Sequence, residues 1–197
     1  MSPLPPHLLD TLAAEAVRDG LADALYTYVP SPIGTLLVVS GANGIVRVGF
    51  EEEPEDRVLA GVVAGLGPRV LRADHELIGV RETLQAYLEG TREGELDLPF
   101  DLQLVHSPFR RTVLEILAGD VHRGDVIRYG ELAARAGNPK AARAAGTACA
   151  TNPIPIVVPC HRVLPSAGGV GNYGGGAPRK VQLLELEGAL PPRLTSR

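Results

Sequence analysis

A chain of 197 residues with 45% hydrophobic content can bury a core as one large domain or two small ones, and no apolar run approaches the roughly 20 residues of a bilayer span, which excludes a membrane-crossing helix. Two cysteines 11 positions apart, and a proline-bearing N-terminus with Asp10, Glu15, Arg18 and Asp19 but no basic start before an apolar stretch, exclude a disulfide framework, a cysteine zinc site and a signal peptide; reduced thiols in a cytoplasm are expected. The net charge of -4 conceals a balance of -9 over residues 1–100 and +5 over residues 101–197, so a polyanion contact belongs to the C-terminal part unless the charges merely cluster on solvated faces.

In chain order, a short helix is predicted over residues 7–24. Strands follow over Ala24–Phe50, with turns at Ser31-Pro32-Ile33-Gly34 and at Gly41-Ala42-Asn43-Gly44, where Asn-Gly between apolar runs signals a hairpin. The result is a small antiparallel sheet. Glu51–Asp56 reads as an acidic loop. Leu77, Val80, Leu84 and Leu88 predict a helix over 75–89, closed by Gly90–Glu95. Pro99 to Pro108 is the connection into a second unit, because composition there turns from acidic and strand-like to basic and helical. That divides the chain into 1–100, 101–190 and a loose tail at 191–197.

The second unit opens with a helix whose Phe109, Val113, Ile116 and Leu117 share a face. A short helix over Tyr129–Ala136, the turn Gly137-Asn138-Pro139 and a small-residue helix over Lys140–Ala150 outline a helix-turn-helix, a weak signal by itself. Asn152-Pro153-Ile154-Pro155 then leads into the apolar run Ile156-Val157-Val158, and no internal repeat is visible.

The sharpest feature is Pro159-Cys160-His161-Arg162-Val163 at the end of that run. A thiol with an ordinary pKa of about 8.5 is mostly protonated at neutral pH, so a cysteine nucleophile needs a base or a positive field. His161 is placed to receive the proton directly or through water, and Glu187, late in a helix over Arg179–Glu187, to orient the imidazole. An isolated Cys-His pair is nonetheless more often an inert thiol beside an ordinary histidine.

Five ordered segments change that weighting: Tyr129-Gly130-Glu131-Leu132-Ala133, Gly137 to Ala144, Asn152 to Val163, Gly171 to Gly176 and Leu184 to Gly188. Across residues 109–190 the chain closely resembles the O6-alkylguanine-DNA alkyltransferases, also called methylated-DNA–protein-cysteine methyltransferases. Residues 24–100 are only loosely similar to that family's N-terminal domain. The resemblance implies an α+β protein: an antiparallel-sheet, ribonuclease-H-like domain, then a mainly helical domain with a winged-helix-like helix-turn-helix. It implies a stoichiometric methyltransferase that flips O6-alkylguanine out of double-stranded DNA and takes the alkyl group irreversibly onto Cys160.

Residue by residue, it implies that Tyr129 gives a proton to the departing base and that Arg143 takes the flipped nucleotide's place in the duplex. Asn152 would be the hinge between the recognition helix and the active-site loop. Pro155, Val158, Val163, Tyr173 and Gly174 would line the base pocket. The small-residue helix with Ala142 would enter the minor groove, and Arg110, Arg111, Arg135 and Lys140 would meet phosphates. Without the motifs, Tyr129 reads as a core aromatic, Arg143 as a solubilising residue and Asn152 as a turn starter. No cofactor, metal or membrane is implied. The expected state is a cytoplasmic monomer, associated with the nucleoid when on DNA, and O4-alkylthymine stays open as a second substrate.

Some positions depart from the pattern. Arg128 stands where a small hydroxyl residue is usual, as a replacement phosphate contact, and Leu114 where tryptophan is common. Gly169-Val170-Gly171-Asn172-Tyr173-Gly174 matches G-x-G-x-x-G, but the 23 residues after it do not suffice for the strand, helix and strand that a dinucleotide site requires. Rival readings are a lesion-binding protein without transfer, which Cys160 argues against, a cysteine hydrolase, and a helix-turn-helix regulator indifferent to Cys160→Ala.

Overall fold

The computed structural model describes residues 6–191, which form two compact units: residues up to Arg92 with Leu98–Leu104, and Glu93–Asp97 with the chain from Val105 onward. The change of unit therefore does not fall at a single residue near 100. Segment 98–104 stays with the first unit because Ile45 N–H donates to the Pro99 carbonyl (2.8 Å) and Asp101 N–H to that of Ile45 (2.9 Å).

In the first unit the elements are α1 (Pro6–Arg18), β1 (Ala24–Val29), β2 (Leu36–Gly41), β3 (Gly44–Gly49), α2 (Glu55–Leu66), β4 (Val70–Arg72) and α3 (Ile78–Leu88). The sheet order is β3-β2-β1-β4. The three strands read from the sequence are antiparallel, and β4 extends them as a parallel partner of β1. Val38, Val39, Val46 and Val48 are fully buried, so both sheet faces are covered.

Helix α1 stops at Arg18, short of the predicted 24. Gly20 sits at φ 65, and Leu21 and Gly20 donate back to the carbonyls of Ala16 and Val17 (2.7 and 3.1 Å), a glycine-dependent helix end. The acidic run at 51–56 is only partly loop. Glu55 and Asp56 open α2, where negative charge favours a helix N-terminus, and Val58 and Val62 bury its inner face.

The second unit holds α4 (Pro108–Asp120), β5 (Ile127–Arg128), α5 (Tyr129–Arg135), α6 (Ala142–Ala150), a single 3-10 turn (Cys160–Arg162), β6 (Val163–Leu164) and α7 (Gly176–Leu186). Helix α4 buries Val113, Leu114 and Leu117; Leu114 itself is a core residue with no exposure. Helix α6 starts later than predicted. Asn138 accepts the Ala141 N–H on its main chain (2.9 Å) and the Lys140 N–H on its side chain (3.3 Å), so Lys140 lies in the turn, outside the helix.

One pairing positions the site. β5 and β6 run parallel, with Ile127 opposite Val163 and Arg128 opposite Leu164. Tyr129 immediately follows the first strand, and the Cys160–Arg162 turn immediately precedes the second. Main-chain hydrogen bonds thereby bring an aromatic helix start beside the Pro-Cys-His-Arg turn.

Candidate active site

The loop between α6 and the cysteine is organised by Asn152. Its side-chain oxygen accepts the Ile154 N–H (3.0 Å), while its amide nitrogen donates to the Val158 carbonyl (2.9 Å) and to Cys160 Sγ (3.2 Å). Ile156 lies at φ 76, a region a β-branched residue rarely enters, and the surrounding bonds hold it there. Cys160 N–H turns back to the Val158 carbonyl (2.8 Å), setting the sulfur at the start of the 3-10 turn.

Cys160 is 4% exposed, yet it lines a cavity of about 470 Å³ together with Tyr129, Cys149, Pro165, Tyr173 and Gly174. Burial pushes its thiol up to about 11, against the pull of the Asn152 hydrogen bond and the Lys180 charge. The resting group is a thiol, so any nucleophilic step must remove its proton within the site. Tyr129, at the first position of α5, is half-buried; burial, then the two sulfurs, push its phenol up, so it too holds its proton.

Behind the cysteine the turn meets the end of α7. His161 Nε2 is 2.8 Å from Glu187 Oε1, Arg162 Nε donates to Glu187 Oε2 at 2.8 Å, and a terminal nitrogen of Arg162 donates to Oε1 at 3.2 Å. All three residues are buried. Gly188, at φ 78, ends α7 so that Glu187 is its cap residue. A carboxylate at a helix C-terminus faces the unfavourable end of the dipole. Burial also raises Glu187, but the His161 and Arg162 contacts overturn both and hold its carboxyl at about 2. His161 Nδ1 is buried and bonds no group of the described residues, and the ring stands edge-on to Tyr173 at 6.3 Å between centroids.

Lys180 is a fully buried lysine. Its amine donates to the Val163 carbonyl (2.7 Å) and lies 3.4 Å from that of Asn172, tying the cysteine segment to the glycine-rich loop; burial lowers its pKa.

Two family models cover the chain: "6-O-methylguanine DNA methyltransferase, ribonuclease-like domain" matches residues 24–102, and the "DNA binding domain" of the same name matches residues 108–189. The chain belongs to the 6-O-methylguanine DNA methyltransferase family. Proteins named methylated-DNA–protein-cysteine methyltransferase are 35% identical in Haemophilus influenzae, over 82% of this chain and 85% of that protein, and 39% identical in Homo sapiens, over 82% and 79%. The crystal structure of Mycobacterium tuberculosis O6-methylguanine methyltransferase superposes with a TM-score of 0.70 at 33% identity, covering 86% of this chain and 95% of the other. That of M. tuberculosis OGT in complex with DNA gives 0.68 at 33% identity, covering 84% and 93%.

Within this methyltransferase fold, Cys160, His161, Glu187, Asn152, Tyr129, Tyr173 and Gly174 come together. Pro155, Val158 and Val163 do not reach the cavity wall and are buried behind it. Pro155 and Val158 bridge one another and Val163 pairs in β6, so their apolar side chains fill the core. The wall is built from small residues of α6 and from the glycine-rich loop.

Arg143 is exposed on α6 and Ala142 half-buried at its start. The other cations are partly engaged within the protein. Arg110 donates to the Thr151 carbonyl (3.1 Å), Arg111 to that of Val105 (3.2 Å) and Arg128 to that of Pro165 (2.7 Å), while Arg135 pairs with Glu131 at 2.6 Å; Lys140 is exposed in its turn.

Among the site residues that the sequence reading did not single out are Cys149, Pro165, Arg162 and Lys180. Cys149 and Lys180 were signalled by periodicity. Ala145, Ala148 and Cys149 fall on one buried face of α6, and Lys180, Leu183 and Leu184, followed by the cap Glu187, on one of α7. A lysine on an apolar face is a buried charge with a task.

Proposed function

We propose that this family member repairs DNA by moving the alkyl group of O6-alkylguanine onto Cys160, once per molecule. The observation that carries the reading is the shared cavity: a protonated sulfur and a protonated phenol on the wall of one space, with Asn152 fixing the first and β5 the second. DNA repair by alkyl transfer to a cysteine follows from the family; the choice of cysteine, lesion and proton path is this proposal.

In the reading, His161 takes the thiol proton through a bridging water while Glu187 holds the opposite ring nitrogen. Sulfur attacks the alkyl carbon, the carbon–O6 bond breaks, and Tyr129 protonates the departing guanine, which otherwise leaves as a poor anion. The product is a thioether without an electrophilic carbonyl for water to attack, so the molecule is spent. Arg143 fills the place of the flipped nucleotide, and flipping costs a few kcal/mol, least at a damaged pair. Cationic contacts near α5 and α6 offset that cost with little sequence preference. The acceptor must stay reduced, and both Cys149 and Cys160 are free thiols, which fits a cytoplasmic monomer acting on chromosomal DNA.

A cysteine hydrolase fits less well. His161 makes no hydrogen bond to Cys160 Sγ, and the thiol is pushed up by burial, whereas an acyl-enzyme site holds its thiolate ready. Incubation with an O6-methylguanine duplex tests the proposal. One methyl group is expected on Cys160. Both cysteines lie between Arg143 and Arg162 on a single tryptic peptide, so fragmentation must locate it. Methylation of Cys149, or none, overturns the reading.

A further inference from the structure

Glu187 is shared by two consecutive residues of the Cys160–Arg162 turn, and the second of them is not needed to hold the first. His161 already has its carboxylate oxygen at 2.8 Å. Arg162 adds a fork across both oxygens, and a second terminal nitrogen donates to the Val121 carbonyl at 2.5 Å. With the carboxylate and imidazole unexposed and the guanidinium 4% exposed, this is a closed ionic cluster.

We infer that Arg162 is a positioning residue: it neutralises Glu187 so that His161 keeps a single proton, on Nε2, and presents the lone pair of Nδ1 toward the acceptor side. The inference rests on the reading of His161 as the base. The physical argument concerns where a buried charge finds its counterion. A desolvated carboxylate facing only an imidazole is neutralised most cheaply by an imidazolium. A ring with protons on both nitrogens has no lone pair and accepts nothing. When a guanidinium supplies the positive charge through a planar fork, the ring has only to donate Nε2–H, and the tautomer is fixed with Nδ1 bare. Nδ1 is indeed the ring nitrogen left without a hydrogen bond among the described residues.

The surroundings keep that balance. Glu95 Oε2 lies 3.4 Å from the terminal nitrogens of Arg162, while its Oε1 accepts the Arg123 main-chain N–H at 2.5 Å. Arg123 in turn donates to the Leu186 carbonyl beside Glu187 (2.9 Å) and to that of Gly94 (3.4 Å), and His122 is 3.6 Å from Glu95. The cluster's two carboxylates thus face two arginines. The remaining titratable groups around it, Cys160 on the turn, Tyr173 on the glycine-rich loop and Lys180 and Arg179 on α7, add no negative charge at neutral pH that calls for a second proton on His161.

The test is the pH dependence of single-turnover methyl transfer in wild type, Arg162→Gln and Arg162→Lys, with the ring-nitrogen chemical shifts of His161 recorded in each. Wild type should show the neutral Nε2–H tautomer at pH 7. Arg162→Gln should move the acid limb of the profile upward by about two pH units, so that His161 is mostly doubly protonated at pH 7 and transfer there is about tenfold slower. Arg162→Lys, which restores charge without the fork, should return the limb and recover only part of the rate. A uniform loss of rate in Arg162→Gln with an unmoved profile would overturn the inference, as would a doubly protonated His161 in wild type at pH 7; the second result needs no variant to fold. Absence of methyl transfer by wild type at every pH would instead reject the function itself.

Discussion

The side-chain amide of Asn152 donates to the sulfur of Cys160 at 3.2 Å while also holding the carbonyl of Val158 at 2.9 Å. One residue at the end of the α6 segment therefore fixes both the loop and the electronic state of the thiol.

Replacing Asn152 by Ala should cost about 1–3 kcal/mol of stability, because the Val158 carbonyl and Ile154 N–H lose a buried partner. It should also raise the Cys160 thiol further, since that hydrogen bond is what most opposes burial. Urea unfolding and the alkylation rate of Cys160 in the same variant check both effects.

The two cysteines should differ in reactivity. Burial pushes Cys160 up to about 11 and Cys149 higher still. Iodoacetamide should modify Cys160 first, slowly at neutral pH, rising about tenfold per pH unit through the alkaline range below its pKa. Time-resolved fragmentation of the shared peptide reads this directly, and preferential labelling of Cys149 would contradict it.

Glu187 should make the second unit acid-sensitive. Its carboxyl sits at about 2 in the fold against an ordinary value of 4.5, so the stabilisation is complete above the unfolded value and is lost as pH falls from about 4.5 to about 2. Urea midpoints measured from pH 7 to pH 2 should fall across that window. Glu187→Gln should flatten the fall and cost about 3–5 kcal/mol at pH 7, by leaving Arg162 buried without its carboxylate.

On DNA, the cations should not be equivalent. Lys140 is exposed, and its replacement by Ala should lower the salt slope of binding by about one, evenly across sequences. Arg135 is already paired with Glu131, so Arg135→Ala should change the slope less. Arg143→Ala should weaken binding and, in the proposed role, slow repair more than it weakens binding. Binding titrations at several salt concentrations, set beside transfer rates, separate these effects.

The elements read from the sequence are those whose signals are local. The hairpin at Asn43-Gly44, the α4 stripe through Val113 and Leu117 and the helix-turn-helix around Gly137 all stand where patterning places them. Helix α2 was hidden because its acidic first turn looks like a solvated loop until Val58 and Val62 are seen buried. Strand β4 is three residues long and gains its identity only from pairing with β1. In the site, the Pro-Cys-His-Arg motif and Glu187 were legible, but the cavity wall was not. The resemblance assigns Val163 and the backbone around Val158 to the pocket; their side chains are buried, and the cavity wall carries Cys149 and glycines. Arg162 has no periodic signature; its partner lies 25 positions away.

The parallel pairing of Ile127 with Val163 and Arg128 with Leu164 has a geometric corollary. It works as a ruler: the tyrosine ring hangs from one edge and the sulfur from the other, each a fixed step from its rung. A slip of one rung would displace one against the other by about 3.3 Å, close to the full thickness of the flat ring system that the proposed function sets between them. The spacing of Tyr129 from Cys160 is thus set first by main-chain rungs, and the side chains of the cavity wall adjust only the space around it.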